Sequence, residues 1–74
     1  MTHREYCEKL LKKNGIEYEV TNYGATFRIN GTRNGTEWQI SETCSWDNLY
    51  QLEYDGYRAT RISIKTAIKK LQQL

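Results

Sequence analysis

Histidine, cysteine and proline are what this chain nearly lacks. Among its 74 residues there is one histidine (His3), there are two cysteines (Cys7 and Cys44), and there is no proline. A single histidine removes most nucleophilic chemistry, because an activated serine or cysteine needs a base within hydrogen-bond reach. His3 and Cys7 lie one helical turn apart, but an exposed imidazole at a helix start and a core thiol do not make an activated dyad. Glu17 and Glu19 share the exposed side of an edge strand and lack the burial that would split their pKa values. No second cysteine or histidine stands at ligand spacing from either cysteine, which argues against a zinc-type site. The expectation is a protein that is not an enzyme and uses no metal or cofactor. With no proline-rich or low-complexity linker and no repeat, residues 1–74 are read as one domain.

Long apolar runs are missing too. Met1-Thr2-His3-Arg4-Glu5 leads directly into a charged amphipathic segment, with neither a signal-peptide core nor a stretch of membrane-spanning length. A cytoplasmic protein is expected, and in that reducing compartment Cys7 and Cys44 are expected as free thiols and not as a disulfide. A chain this short buries only about 60% of its unfolded surface. A partner protein, or a second copy in a homodimer, would add to a thin margin.

Acidic residues are absent from Gly56 to Leu74, where Arg58, Arg61, Lys65, Lys69 and Lys70 stand. Just before them, Glu42, Asp47, Glu53 and Asp55 have no basic residue in their midst. The formal net charge of +2 hides this segregation, which can steer a charged partner.

What is present organises the chain. Thr2 followed by Glu5 is a capping box, Tyr6, Cys7, Leu10 and Leu11 recur at helical spacing, and Gly15 supplies a left-handed stop with Ile16 placed for a Schellman contact. The period then changes to two. Ile16, Tyr18 and Val20, then Phe27 and Ile29, then Trp38 and Ile40 alternate with polar residues, which reads as three strands. A loop over 22–25 would pair Val20 with Phe27, and a loop over 32–35 would pair Ile29 with Trp38 and Phe27 with Ile40. For 45–59 two readings stand. Ser45 capping Trp46, Leu49, Tyr50 and Glu53 favours a helical turn, while Tyr50, Leu52 and Tyr54 before Asp55-Gly56 describe a fourth strand entering a type I′ turn. Ile64, Ala67, Ile68 and Leu71 recur at helical spacing after a cap at Thr60 or Ser63. The fold class expected is α+β: helix, three-stranded antiparallel meander, connector that is a helical turn or a fourth strand, and helix, with both helices on one face of the sheet.

Two surfaces are candidates for function. Trp46, Tyr50 and Tyr54, interleaved with Asp47 and Glu53, have the composition of a protein-binding hot spot whose carboxylates engage a basic partner. Arg58, Arg61, Lys65 and Lys69 would line one side of the last helix and its lead-in, a spacing that can follow the phosphates of a nucleic acid. The same lysines also suit a solvated helix face that complements its own C-terminal dipole.

The order of elements resembles that of the double-stranded-RNA-binding domain. Where that family has Lys-Lys-x-Ala-Lys this chain has Ser63-Ile64-Lys65-Thr66-Ala67, and where it has Gly-Pro-x-His this chain has Asn22-Tyr23-Gly24-Ala25, so the resemblance is topological and transfers no residue. The composition, rich in Asn, Lys, Tyr and Thr, is similar to that of small accessory proteins of phages and mobile elements. That resemblance implies a stoichiometric inhibitor or adaptor working through protein–protein contacts, with a nucleic-acid-binding module as the alternative.

Overall fold

The computed structural model describes residues 2–23, 26–42 and 48–74, with Asn22 and Tyr23 described for their backbone only. The order is α1 (His3–Lys13), β1 (Glu19–Tyr23), β2 (Phe27–Arg33), β3 (Thr36–Glu42), β4 (Tyr50–Tyr54), β5 (Tyr57–Ile62) and α2 (Ile64–Gln72). The five strands form one antiparallel sheet in sequential order. Both helices cover one of its faces. This is the α+β class expected, and of the two readings for the connector the fourth strand is the one formed, Tyr50–Tyr54 being β4 and not a helical turn, with β5 added as a fifth strand.

Local chemistry explains the ends of α1. Thr2 Oγ1 accepts from the Glu5 amide and the Glu5 carboxylate accepts from the Thr2 amide, closing the capping box. The hydrogen bond from the Thr2 amide, with a smaller contribution from the Thr2 side chain, holds the Glu5 carboxyl below its ordinary pKa. At the other end Gly15 has φ +69°, the Ile16 amide donates to the Leu11 carbonyl and the Gly15 amide to that of Lys12. These are the two bonds of a Schellman motif, and Ile16 is buried in the core. For α2 the cap is Ser63, whose Oγ accepts from the Thr66 amide at 3.2 Å.

The two tight hairpins have one cause. Asn34-Gly35 and Asp55-Gly56 both take positive φ at both positions (49° and 80°, 47° and 79°), the requirement of a type I′ turn whose twist matches that of the flanking strands. The β2–β3 connection is therefore two residues long and not the four expected, Arg33 pairing with Thr36. That change slides the register, so that Ile29 meets Ile40 and Gly31 meets Trp38, in place of the expected Ile29–Trp38 and Phe27–Ile40 pairs. On the other side Val20 meets Ile29 and not Phe27, because β1 carries an irregularity between Val20 and Asn22 and its pairing continues to Tyr23 and Phe27. A second irregularity gives β5 an extra residue opposite Tyr50 and Leu52, near Arg61, whose φ is +55°.

The core lies between the sheet and the helices. Cys7, Leu11, Ile16, Ile64, Ala67, Ile68 and Leu71 pack with Phe27, Ile29, Trp38, Ile40, Tyr50 and Leu52. Gly31 marks the tightest point: a Cβ there would stand 2.7 Å from the Glu17 carbonyl and 2.8 Å from Trp38 Cζ2. Gly31→Ala is expected to destabilise the domain by about 1–3 kcal/mol through overpacking, read from the denaturation midpoint. An unchanged midpoint would mean that the indole does not rest on this backbone.

Burial pushes the Cys7 thiol up to about 11, against a lesser opposing effect of the Tyr50 hydroxyl. In the unfolded chain this thiol ionises near 9.0, so its contribution to stability is complete below that pH and is lost as pH rises through about 11. With Cys44→Ser in both proteins, the melting temperature is expected to fall more steeply over that alkaline window with Cys7 present than with Cys7→Ala. Parallel curves would contradict this.

Candidate functional site

Alternation along the strands divides the candidate residues before any tertiary contact is considered. Tyr50, Leu52 and Tyr54 point toward the helices and Glu53 to the opposite face. Tyr50 is 1% exposed and its ring lies 5.9 Å from that of Phe27. It is a core residue, so it offers no surface to a partner. Tyr54 is half-buried at the rim, its ring 5.0 Å from that of Tyr57, which is 41% exposed and carries Lys70 Nζ 5.4 Å from its centroid. Glu53 stands on the far face, 3.7 Å from Arg58. Of the residues expected to form one protein-binding patch, Tyr50, Glu53 and Tyr54 are not brought together on one surface; Trp46 and Asp47 lie outside the described residues, as does Cys44.

The basic residues separate as well. Arg58 belongs to the uncovered face of the sheet, Arg61 to the irregular stretch of β5, and Lys65 and Lys69 to the exposed side of α2. Arg58 therefore does not continue a stripe along the helix. The helices themselves pack together and point the same way: Thr2, His3 and Tyr6 share a cleft with Ser63, Ile64 and Lys65, while Gln72 Nε2 donates to Asn14 Oδ1 at the other end. Two aligned dipoles place partial negative charge at that second end, where Lys12, Lys13, Lys69 and Lys70 occupy the last turns. Much of the basic run is accounted for by this.

His3, alone in the sequence, acquires a partner 39 residues away: its Nδ1 is 2.9 Å from Glu42 Oε2, and Glu42 is 7% exposed. This pair ties the first turn of α1 to the end of β3. Glu42 is accordingly not part of an uncompensated acidic surface.

A broad concavity lies where the sequence pointed least. Among the described residues nothing covers the sheet face turned away from the helices, and its curvature forms an open groove of about 1040 Å³ running over all five strands. Across it the register sets Glu19, Asn30, Gln39, Glu53 and Arg58 in one row and Thr32 and Glu37 in the next. The lining holds five carboxylates (Glu17, Glu19, Glu37, Glu53 and Asp55) and one guanidinium, that of Arg58. Gln39 Nε2 donates to Ser41 Oγ and Gln51 Nε2 to the Glu53 carboxylate, while Asn30 Oδ1 is buried with no hydrogen-bond partner among the described residues. Among the described residues no helix is long and apolar enough to cross a membrane.

Compared with models of known protein families, with curated proteins and with solved structures, the chain matches none.

Proposed function

We propose that this chain is a small non-enzymatic binding protein that acts stoichiometrically, as an inhibitor or adaptor of the kind made by phages and mobile elements, by docking another protein on the uncovered face of its sheet. The observation that carries the reading is the groove over all five strands, a preformed concave surface with outward polar side chains and no element of the described chain covering it. Sheet faces with one side solvated are ordinary in antiparallel proteins; concavity and a lining of five carboxylates against one guanidinium are what favour a partner here.

A nucleic-acid-binding module is the second reading, favoured by Lys9, Lys12 and Lys13 of α1 standing exposed on a helix that packs beside Lys65 and Lys69 of α2. One experiment separates the two. Tagged protein is used to recover partners from its native host with and without nuclease, alongside Glu37→Lys/Glu53→Lys and Lys65→Glu/Lys69→Glu variants. Recovery of a protein that survives digestion, is lost with the first pair and is kept with the second supports docking in the groove. Recovery that vanishes on digestion and with the lysine reversals, together with nucleic-acid affinity that falls steeply with salt, supports the second reading instead.

A further inference from the structure

We infer that what the groove accepts is a lysine- or arginine-rich segment of the partner, laid across the strands. The inference rests on the binding function proposed above and specifies its chemistry.

The hydrogen-bonding sign of the surface is its basis. Carboxylates accept and cannot donate. The amides of Gln39 and Gln51 each donate along the face, to Ser41 and Glu53, and the Arg58 guanidinium is 3.7 Å from Glu53. The floor also holds an acceptor without a donor among the described residues, the buried Asn30 Oδ1, on a central row between Glu19 and Gln39. A buried acceptor without a donor is costly, so an occupant that supplies N–H groups gains where one supplying phosphate oxygens meets five carboxylates.

Direction and length follow from the sheet. The groove crosses five strands, or about 19 Å at the usual spacing of about 4.8 Å, which an extended chain of about six residues covers. Its carboxylates stand before and within β1, on β3, and at the end of β4, so side chains spaced along such a segment find them in turn.

The long-range field agrees. The two helices carry seven basic and two acidic residues, while the described residues outside them carry four basic and six acidic, of which Glu42 alone is paired with a helix. A basic segment is thus drawn to the sheet side and repelled from the helix side. A second copy of this chain also offers a basic helical layer, and the test must tell the two apart.

The full-length protein, labelled with nitrogen-15, is titrated at low ionic strength with an octapeptide of alternating arginine and serine, with its glutamate counterpart, and with a thymidine oligonucleotide. The arginine peptide is expected to shift the amides of Glu19, Asn30, Gln39 and Glu53 and to leave α1 and α2 unmoved, the other two probes giving no groove shifts. Glu37→Lys/Glu53→Lys, checked to melt as the parent does, is expected to weaken binding by about tenfold or more. Asn30→Thr changes no charge yet removes the carbonyl acceptor, and is expected to weaken it about fivefold. An indifferent Asn30→Thr, shifts confined to the helices, or no binding overturns the inference. Concentration-dependent shifts of the same amides without peptide, with a dimer in sedimentation, assign the groove to a second copy and overturn it too. Should a host protein be recovered whose binding ignores all these variants, the docking function stands in some other form and this inference alone fails.

Discussion

Tyr50→Ala is expected to unfold the domain. Composition and neighbours in sequence place this tyrosine in a protein-binding patch, where its loss would cost affinity and leave the fold intact. In the structure it is 1% exposed and packed against Phe27. Truncating a buried aromatic costs about 3–5 kcal/mol. Whole-domain stabilities begin at about 5 kcal/mol, and one this small belongs near the bottom of the range. Circular dichroism should show loss of the cooperative melt. Tyr50→Phe keeps the ring and removes only the hydroxyl, so it should cost about 1 kcal/mol and remain folded. A folded Tyr50→Ala protein with a normal melting temperature would place this ring outside the core.

Trp38→Ala should do comparable damage for a different reason. Trp38 is 2% exposed, and its indole lies across Gly31 where the backbone is closest to it, so its removal opens a void that a glycine neighbour cannot fill. The expected loss is again about 3–5 kcal/mol, measurable by chemical denaturation if the variant still folds. Its Nε1 has no hydrogen-bond partner among the described residues. Trp38→Phe therefore surrenders no bond and should keep most of the stability that alanine loses. Equal destabilisation by both substitutions would mean that the indole nitrogen is bonded after all.

These two residues also show how much the sequence reveals. Alternation assigns a face, because its period is two, and Val20, Phe27, Ile29, Trp38 and Ile40 all face the helices as their spacing demands. Register is another matter. Sliding a strand by two residues preserves every face, so the expected Ile29–Trp38 pair and the observed Ile29–Ile40 pair satisfy the same pattern, and only turn chemistry separates them. The Asn34-Gly35 dipeptide held that information, as Asp55-Gly56 did for the second hairpin. β5 was hidden because Tyr57-Arg58-Ala59-Thr60-Arg61-Ile62 has little apolar alternation and gains an extra residue at the edge. Without β4 and β5 in the sheet, Glu19, Asn30, Gln39 and Glu53 cannot be seen as one row, since their only relation is lateral. The His3–Glu42 pair, 39 residues apart, has no local signature either.

The sequential order of the strands bears on how quickly the domain assembles. Each strand pairs only with its neighbours in the chain, so every closure within the sheet is short and loses little loop entropy. The contacts of α1 are the exceptions, with α2 and, through His3 and Glu42, with the end of β3. The sheet can therefore collapse early, with α1 docking onto an α2 that follows the last hairpin directly. Refolding in milliseconds, with the slower step sensitive to substitutions in the α1–α2 seam such as Leu11→Ala and less so to changes in either hairpin turn, is the kinetic counterpart of this topology.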